Sequence, residues 1–223
     1  MMKPLLTVAA LLLASPVAAQ HSFAAPEGCE AKLTVQQKGC VMVNVWTCEA
    51  DEKGDQWIAL IGQTGVFSIQ RVDDEFQWME TYSVMGNEAL MEPVEDPSSL
   101  TELFANQVDT WDFTIETEEG PERNVGFDML TGQTIEIDGE TLYETEFQGQ
   151  TLDEDGNVLD TSSGRQYVSK DHRLFFFGQS WSDEAPDQIT DMSPVEFIYP
   201  GEPGFFAAEP VFECNQIETS YQP

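Results

Sequence analysis

The sequence predicts a mostly β fold, an antiparallel meander forming an open or incompletely closed barrel with one covering helix at about residues 97–108. From Cys40 onward, apolar and polar residues alternate with a period of two, which places successive side chains on opposite faces of a strand. Turn pairs such as Asp138-Gly139 separate these stretches at hairpin spacing. The sequence has no helical pattern of crossover length between the strands, which disfavours a doubly wound nucleotide-binding fold.

The predicted strands are the stretches that alternate, or run apolar, over strand length. In chain order they cover residues 40–48, 57–61, 66–71, 76–84, 111–117, 124–130, 134–137, 142–151, 166–169, 173–180, 195–199 and a closing strand at 211–214. The run Leu174 to Phe177 is apolar on both parities, which predicts burial on both faces or a cavity along one of them. Phe205 to Ala208 form a second apolar run, and the functional interpretation of both runs is an apolar groove.

The predicted helix has an N-terminal capping signal and one apolar face. Asp96 or Ser99 can cap the helix, and Ser99 with Glu102 matches a capping box. The apolar residues Leu100, Leu103, Phe104 and Val108 then fall on one side of the helix. This stripe predicts a helix that packs on a sheet face and closes one end of the core. The functional alternative is a lid over a cavity in a strongly curved sheet.

Residues 1–19 match a signal peptide. Lys3 precedes an apolar stretch from Leu5 to Ala14, and small residues lead to a cleavage site after Ala19, with cleavage after Gln20 as the alternative. The apolar stretch is too short to span a bilayer, so we predict a soluble, periplasmic or secreted protein. The remainder, 20–223, is expected to form a single β domain with a Pro/Gly-rich excursion at 183–210.

Four cysteines in an exported chain predict two disulfides. Cys40 and Cys48 lie at the two ends of one predicted strand, about 26 Å apart, so they cannot bond to each other. The preferred pairing is Cys29–Cys40 with Cys48–Cys214, a short local loop and a bond that ties the C-terminal segment to an early strand. The other pairing, Cys29–Cys48 with Cys40–Cys214, stays open.

The chain is strongly acidic, with 41 Asp and Glu against 9 Lys and Arg and a formal net charge of −32. Such a field repels phosphate backbones and acidic lipid head groups, so we predict no nucleic-acid partner. Hydrophobic residues make up 41% of the chain and aromatic residues 11%, which is typical of a folded domain. We expect the acids to coat the outside of the sheet, where divalent cations are candidate partners.

Two groups of residues are weak candidates for metal sites. If cleavage followed Gln20, the amino group and imidazole of His21 would chelate copper, and His172 would be the second imidazole ligand. Asp153, Asp155 and Asn157 offer oxygen ligands around a glycine, as calcium loops do, although the same residues suit a tight hairpin turn. The turn is the preferred interpretation, and we predict no metal, no cofactor and no catalytic residue.

Three short motifs carry a resemblance to known proteins. Together with the signal peptide, Trp46 to Glu49 (WTCE), Gly126 to Gly132 (GFDMLTG) and Arg173 to Phe176 (RLFF) resemble a group of small secreted β-rich proteins of Gram-negative bacteria without an assigned activity. More remotely, a long meander with an inserted helix is similar in architecture to the Lol-type periplasmic lipoprotein carriers, whose half-open barrel holds acyl chains. This second resemblance implies a carrier function but assigns no residue.

The predicted function is therefore non-enzymatic. We expect an envelope-associated or apolar-ligand-binding role, with an apolar small molecule or a lipidated protein as partner. The first alternative is a structural or partner-binding β module. The second is a copper-dependent redox enzyme that uses His21.

Overall fold

The computed structural model describes residues 23–182 and 185–214. These residues form thirteen strands and one helix. In chain order the elements are β1 (Cys29–Gln37), β2 (Val41–Cys48), β3 (Gln56–Gly62), β4 (Gly65–Val72), β5 (Trp78–Ser83), β6 (Gly86–Leu90), α1 (Leu100–Asn106), β7 (Val108–Thr117), β8 (Gly120–Ile137), β9 (Glu140–Leu152), β10 (Val158–Ser169), β11 (Leu174–Ser182), β12 (Ala185–Asp191) and β13 (Pro194–Ile198).

All thirteen strands belong to one sheet, in which β1 to β12 lie side by side in chain order. β13 pairs antiparallel with β1, so β12 and β13 are the two edges of the sheet although they are neighbours in sequence. The two ends of the sheet approach each other, since the Nζ atom of Lys38, directly after β1, lies 2.8 Å from a carboxylate oxygen of Asp191 at the end of β12. The predicted open antiparallel meander with one helix is confirmed.

The main core lies where the two ends of this curved sheet pack face to face. On one side are side chains from β1 to β4 such as Val35 and Val43, with Phe197 from the neighbouring β13, and on the other are Leu142 and Phe176 from β9 and β11. These side chains are almost fully buried, and burial of one aliphatic side chain of this size stabilises the fold by about 1.5–3 kcal/mol. We call the side of β1 to β4 that meets this core the inner face.

A second apolar cluster covers the outer face of the same strands. Met42 and Trp46 of β2 point there, because they have the opposite parity to Val43 and Val45, and Phe206 of the C-terminal segment packs against them. Buried polar groups hold this segment in place. Thr34 Oγ1 accepts a hydrogen bond from the backbone N–H of Phe206 at 2.8 Å, and Asn44 donates to the carbonyl of Ala207 at 2.9 Å.

The preferred disulfide pairing is wrong, since the structure contains Cys29–Cys48 and Cys40–Cys214. The prediction treated residues 29–40 as a local loop, but residues 29–37 form a strand, which carries Cys29 away from Cys40. The β1–β2 register instead places Cys29 directly opposite Cys48, with the two Cα atoms 3.9 Å apart. Cys40 lies at the far end of this hairpin, beside the outer-face segment that contains Cys214. The exclusion of a Cys40–Cys48 bond is confirmed.

Four further strand predictions need correction. Residues 29–37, 86–90 and 185–191 are strands that the sequence did not predict, and residues 211–214 contain no strand. The Pro/Gly-rich excursion supplies both edges of the sheet, because a proline that lacks an N–H is tolerated on an edge strand. The segment that follows, from 205 to 214, is irregular and packs on the outer face.

The helix is shorter than predicted, running from Leu100 to Asn106. Ser99 is the N-cap as expected, and its side chain accepts a hydrogen bond from the backbone N–H of Glu102. Gln107 ends the helix in a left-handed conformation, with φ at 70°. Val108 therefore begins β7 instead of extending the apolar stripe. Among the described residues, no helix is long and apolar enough to cross a membrane.

The disulfide assignment predicts a specific peptide map. Digestion without reduction should yield linked peptides containing Cys29 with Cys48 and Cys40 with Cys214. The double variant C40S/C214S, which opens a loop of 174 residues, should lose up to about 5 kcal/mol of unfolding free energy, against about 3 kcal/mol for C29S/C48S, whose loop spans 19. A linked peptide containing Cys29 and Cys40 would contradict the assignment.

Candidate functional site

A cavity of about 280 Å³ lies between α1 and the strands that follow it, and we call it the α1 cavity. Its wall comes from the β4–β5 turn, from α1 and the residues before it, and from β5 and β7 to β11. The lining residues are Glu75, Phe76, Trp78, Ser98, Ser99, Leu100, Leu103, Asp109, Trp111, Phe113, Asn124, Asp128, Phe147, Gly149, Gln150, Thr151, Asp160, Ser162, Gln166 and Phe175. It opens to solvent along β9 and β10, where Gln150, Asp160 and Ser162 are exposed.

Aromatic rings form much of the wall. Trp111 and Phe113 project from the same face of β7 with ring centroids 5.8 Å apart, and Trp78 of β5 meets Phe113 edge-on at 5.7 Å. Trp111 lies flat against the sheet because its neighbours on β8 and β9 are glycines. A Cβ atom at Gly126 would lie 2.5 Å from the Trp111 ring, and one at Gly149 would lie 2.8 Å from it.

Two carboxyl groups share this wall. Asp109 of β7 and Asp128 of β8 are direct cross-strand partners, an arrangement that brings like charges together when both are ionised. Asp109 accepts a hydrogen bond from the backbone N–H of Ser99 at 2.8 Å, and Asp128 accepts one from the indole N–H of Trp111 at 3.1 Å.

Both carboxyl groups are harder to ionise than usual. Burial raises the pKa of Asp109 to about 6, against the lowering effect of the Ser99 hydrogen bond and with help from nearby acids. Burial also raises the pKa of Asp128 to about 7, with a further contribution from the charge of Asp109. At neutral pH this wall therefore holds a mixture of ionised and protonated carboxyl groups. A cationic or hydrogen-bonding partner would change the ionised fraction.

Glu75 of the β4–β5 turn holds α1 over the cavity. Its carboxylate accepts hydrogen bonds from the backbone N–H and the hydroxyl of Thr101, at 2.7 and 2.6 Å, and from the Ser99 hydroxyl at 3.1 Å. A guanidinium nitrogen of Arg173 lies 2.7 Å from the Glu75 carboxylate and also contacts the Thr101 hydroxyl, at 3.3 Å. Although burial alone would raise the pKa of Glu75, these hydrogen bonds and the positive charge lower it.

The same turn places an aromatic ring between two cavities. Asp73 Oδ1 accepts hydrogen bonds from the backbone N–H groups of Glu75 and Gln77, and Phe76 between them has φ at 69°, a costly conformation for a bulky side chain. Phe76 lines the α1 cavity and also a smaller cavity of about 110 Å³, together with Phe175. Of the two arrangements predicted for their run, the structure has the second: the parity of Phe176 packs in the core, and the parity of Phe175 lines cavities.

We call the smaller space the Gln37 cavity. Gln37 of β1 is fully buried and lines it, and neither atom of its side-chain amide has a hydrogen-bond partner among the described residues. Its neighbour Gln36 is equally buried but accepts a hydrogen bond from the backbone N–H of Val211. A buried amide without hydrogen bonds destabilises the fold by about 1–3 kcal/mol. A polar group that entered this cavity and hydrogen-bonded to Gln37 would remove part of that penalty.

A third concave surface lies outside the sheet, and we call it the outer groove. It measures about 600 Å³, is more open than the α1 cavity, and runs beside the Cys29–Cys48 bond. Trp57 and Tyr82 line it with nearly parallel rings whose centroids are 6.4 Å apart, and Asp51 accepts a hydrogen bond from the Trp57 indole. It has no buried titratable pair like that of the α1 cavity among its lining residues.

The candidate metal ligands are not brought together. His21 lies outside the described residues, and His172 in the β10–β11 turn contacts the hydroxyl of Tyr199 at 3.2 Å and a carboxylate oxygen of Glu140 at 3.3 Å. Within 23–182 and 185–214, no group of three or more His, Cys, Asp or Glu side chains is arranged to hold a metal ion.

Asp153, Asp155 and Asn157 form the β9–β10 turn. Asp153 Oδ1 accepts hydrogen bonds from the backbone N–H groups of Asp155 and Asn157, at 3.0 and 2.7 Å, and Oδ2 accepts one from the Asn157 side chain at 2.8 Å. The Asn157 side-chain hydrogen bond is the main reason that the pKa of Asp153 is lowered. The carboxylate is thus occupied by its own turn, as the preferred interpretation of this segment states.

The sequence prediction missed Asp109 and Asp128. Among 41 acids no single one stands out by composition, but Asp109 has the same parity as Trp111, Phe113 and Ile115. A carboxyl group on the apolar parity of a strand is the signal that identifies it. For Asp128 the corresponding signal is Gly126 on the same parity, since a glycine inside a strand marks a close approach of another group.

No protein-family model, curated protein or solved structure is significantly similar to this chain. The resemblances to small secreted β-rich proteins and to Lol-type carriers therefore stay predictions.

The raised pKa of Asp128 predicts how stability depends on pH. Because the pKa is about 7 in the folded protein and about 4 in the unfolded chain, the unfolded chain loses this proton first, so the unfolding free energy falls between about pH 4 and pH 7 and stays low above pH 7. Asp128→Asn should therefore raise the unfolding free energy at pH 8, on the order of 3 kcal/mol, with little change near pH 4. Urea unfolding at several pH values measures this difference.

Asp112→Asn is the matched control, on the opposite parity of β7. The Arg123 hydrogen bond lowers the pKa of Asp112, so its contribution is present above its ordinary pKa and is lost in acid. This variant should be less stable than the wild type at pH 8. An equal gain for Asp128→Asn at pH 4 and pH 8 would show that its carboxyl group is not perturbed by burial.

Proposed function

We propose that the protein is an exported, non-enzymatic binding protein that holds one small, largely apolar molecule in the α1 cavity. The observation that carries this proposal is a cavity walled by Trp78, Trp111 and Phe113 and covered by a helix that Glu75 anchors. Ligand sites in proteins are typically concave, mostly aromatic or aliphatic, and supplied with a few polar groups that fix orientation. The α1 cavity has each of these properties.

An extracytoplasmic location supports this role. The two disulfides indicate an oxidising environment, and the signal-peptide pattern at residues 1–19 favours the periplasm or secretion. A helix-covered cavity in an open sheet also agrees with the predicted resemblance to periplasmic carriers. At about 280 Å³, the cavity is at the small end of the range for ligand pockets, which favours a small molecule over the acyl chains of a lipidated protein.

Titration with the uncharged fluorophore N-phenyl-1-naphthylamine tests the proposal. Its emission should rise and saturate at one molecule per chain as it enters the aromatic cavity. Ser162→Trp places a large ring at the exposed mouth of the cavity and should abolish the signal, with the thermal midpoint showing that the variant folds.

Tyr82→Ser removes a ring from the outer groove and is the matched control, which should bind the probe like the wild type. Loss of probe binding in Tyr82→Ser but not in Ser162→Trp would show that the probe binds in the outer groove and not in the α1 cavity. That result would favour the alternative role, a partner-binding β module.

A further inference from the structure

We propose that the α1 cavity selects organic cations, namely an amine or quaternary ammonium group carried on an apolar body. This inference rests on the proposed function and specifies its ligand class. It combines the aromatic wall, the carboxyl pair on that wall, and the buried amide in the adjoining cavity.

The aromatic wall supplies the first requirement of a cation site. The planes of Trp111 and Phe113 are inclined by 47°, and those of Trp78 and Phe113 by 74°. The three rings therefore present faces in different directions, so that a bound group can meet more than one face. A cation over the face of a tryptophan, tyrosine or phenylalanine ring is attracted by the ring quadrupole, most strongly when it is shielded from water.

The charges in the cavity supply the second requirement. Asp109 and Asp128 lie side by side on the wall and Asp160 lies at the mouth, whereas the residues that line the cavity include no lysine, arginine or histidine. The nearby Arg173 is engaged by Glu75 and by the backbone carbonyl of Asp74. An anionic ligand such as a fatty acid would thus meet only like charge, while a cation would neutralise a buried pair that is otherwise costly to ionise.

The adjoining Gln37 cavity supplies an independent sign that a ligand is accommodated here. The two cavities share four lining residues, Phe76, Trp78, Gln166 and Phe175. The buried Gln37 amide, unpartnered among the described residues, lines the far side and offers one hydrogen-bond donor and one acceptor group. A ligand that extends past Phe76 would place a neutral polar end there and its cationic end beside Asp109 and Asp128.

Affinity for a cation should rise with pH, because both carboxyl groups ionise between acid and neutral conditions. The charged groups that act on Asp109 are Glu75 from the β4–β5 turn, Asp96 from the segment before α1, Glu102 from α1 and Asp128 from β8. All of them are acids, so they raise the pH at which Asp109 ionises, and their negative charge strengthens the attraction for a cation.

A pair of probes of the same shape tests the inference: benzyltrimethylammonium and its uncharged carbon isostere neopentylbenzene. At pH 8, titration followed by tryptophan fluorescence should give a dissociation constant at least about tenfold lower for the cation. At pH 5 this preference should shrink, because the carboxyl pair is protonated. Asp128→Asn should weaken binding of the cation about tenfold at pH 8 and leave the isostere unchanged, whereas Asp112→Asn should change neither.

Each other outcome overturns the cation inference. Equal affinity for the two probes would show that the cavity takes apolar molecules without regard to charge, and the proposed function would stand. If neither probe binds while N-phenyl-1-naphthylamine does, cation selection is again excluded and the binding function stands. If all three fail to bind, the proposed function itself is wrong.

Discussion

The position of α1 depends on the carboxylate of Glu75. This carboxylate accepts hydrogen bonds from the backbone N–H of Thr101, in the first turn of the helix, and from the hydroxyl of the N-cap residue Ser99. It also forms an ion pair with Arg173. It thereby joins the β4–β5 turn, the helix and the β10–β11 turn, which come from different parts of the sheet. Hydrogen bonds to a charged group contribute about 1.5–3 kcal/mol each, more than an exposed ion pair of about 0–1 kcal/mol. The cavity exists because the seven-residue helix is held across the sheet at this point.

Three features that destabilise the fold lie at the α1 cavity or at the adjoining Gln37 cavity. Phe76 adopts a positive φ, Asp109 and Asp128 lie side by side, and the Gln37 amide is unpartnered within the described structure. Each feature destabilises the fold by an amount comparable to the gain from one good hydrogen bond. Such features commonly collect where a protein binds or reacts. Their presence at the α1 cavity and the adjoining Gln37 cavity supports the proposed function.

Much of the architecture was predictable because many of the strands bury one face. The alternation in residues 40–48 fixed which side chains of β2 face the core, and the Ser99 capping signal marked the start of α1. The disulfide pairing was mispredicted because it depends on β1. Residues 29–36 alternate between apolar and polar side chains, a strand signal that the prediction overlooked when it treated this segment as a local loop. Pairing of this strand with β2 is what places Cys29 opposite Cys48.

The candidate site was predictable only in part. The apolar run at Phe175 and the helix were both predicted to pack in the core, with a covered cavity as the alternative, because their patterns are local. Asp109 and Asp128 were not identified, since two neighbouring strands must come into register before these carboxyl groups meet. The motif Gly126 to Gly132 contains Asp128. The reason for its first glycine, Gly126, is evident only from the packing of the Trp111 ring against it. Sites that depend on register between strands are not visible in a single-strand pattern.

The most direct test of this account is hydrogen exchange of the α1 amides in Glu75→Ala and in Glu102→Ala. Glu102 lies exposed on the same helix, and its contact with the N-cap uses only its backbone. We predict that Glu75→Ala speeds exchange across residues 100–107 at least about tenfold while the strands stay protected, and that Glu102→Ala does not. Equal protection of the helix in both variants would contradict the claim that Glu75 holds α1 over the cavity.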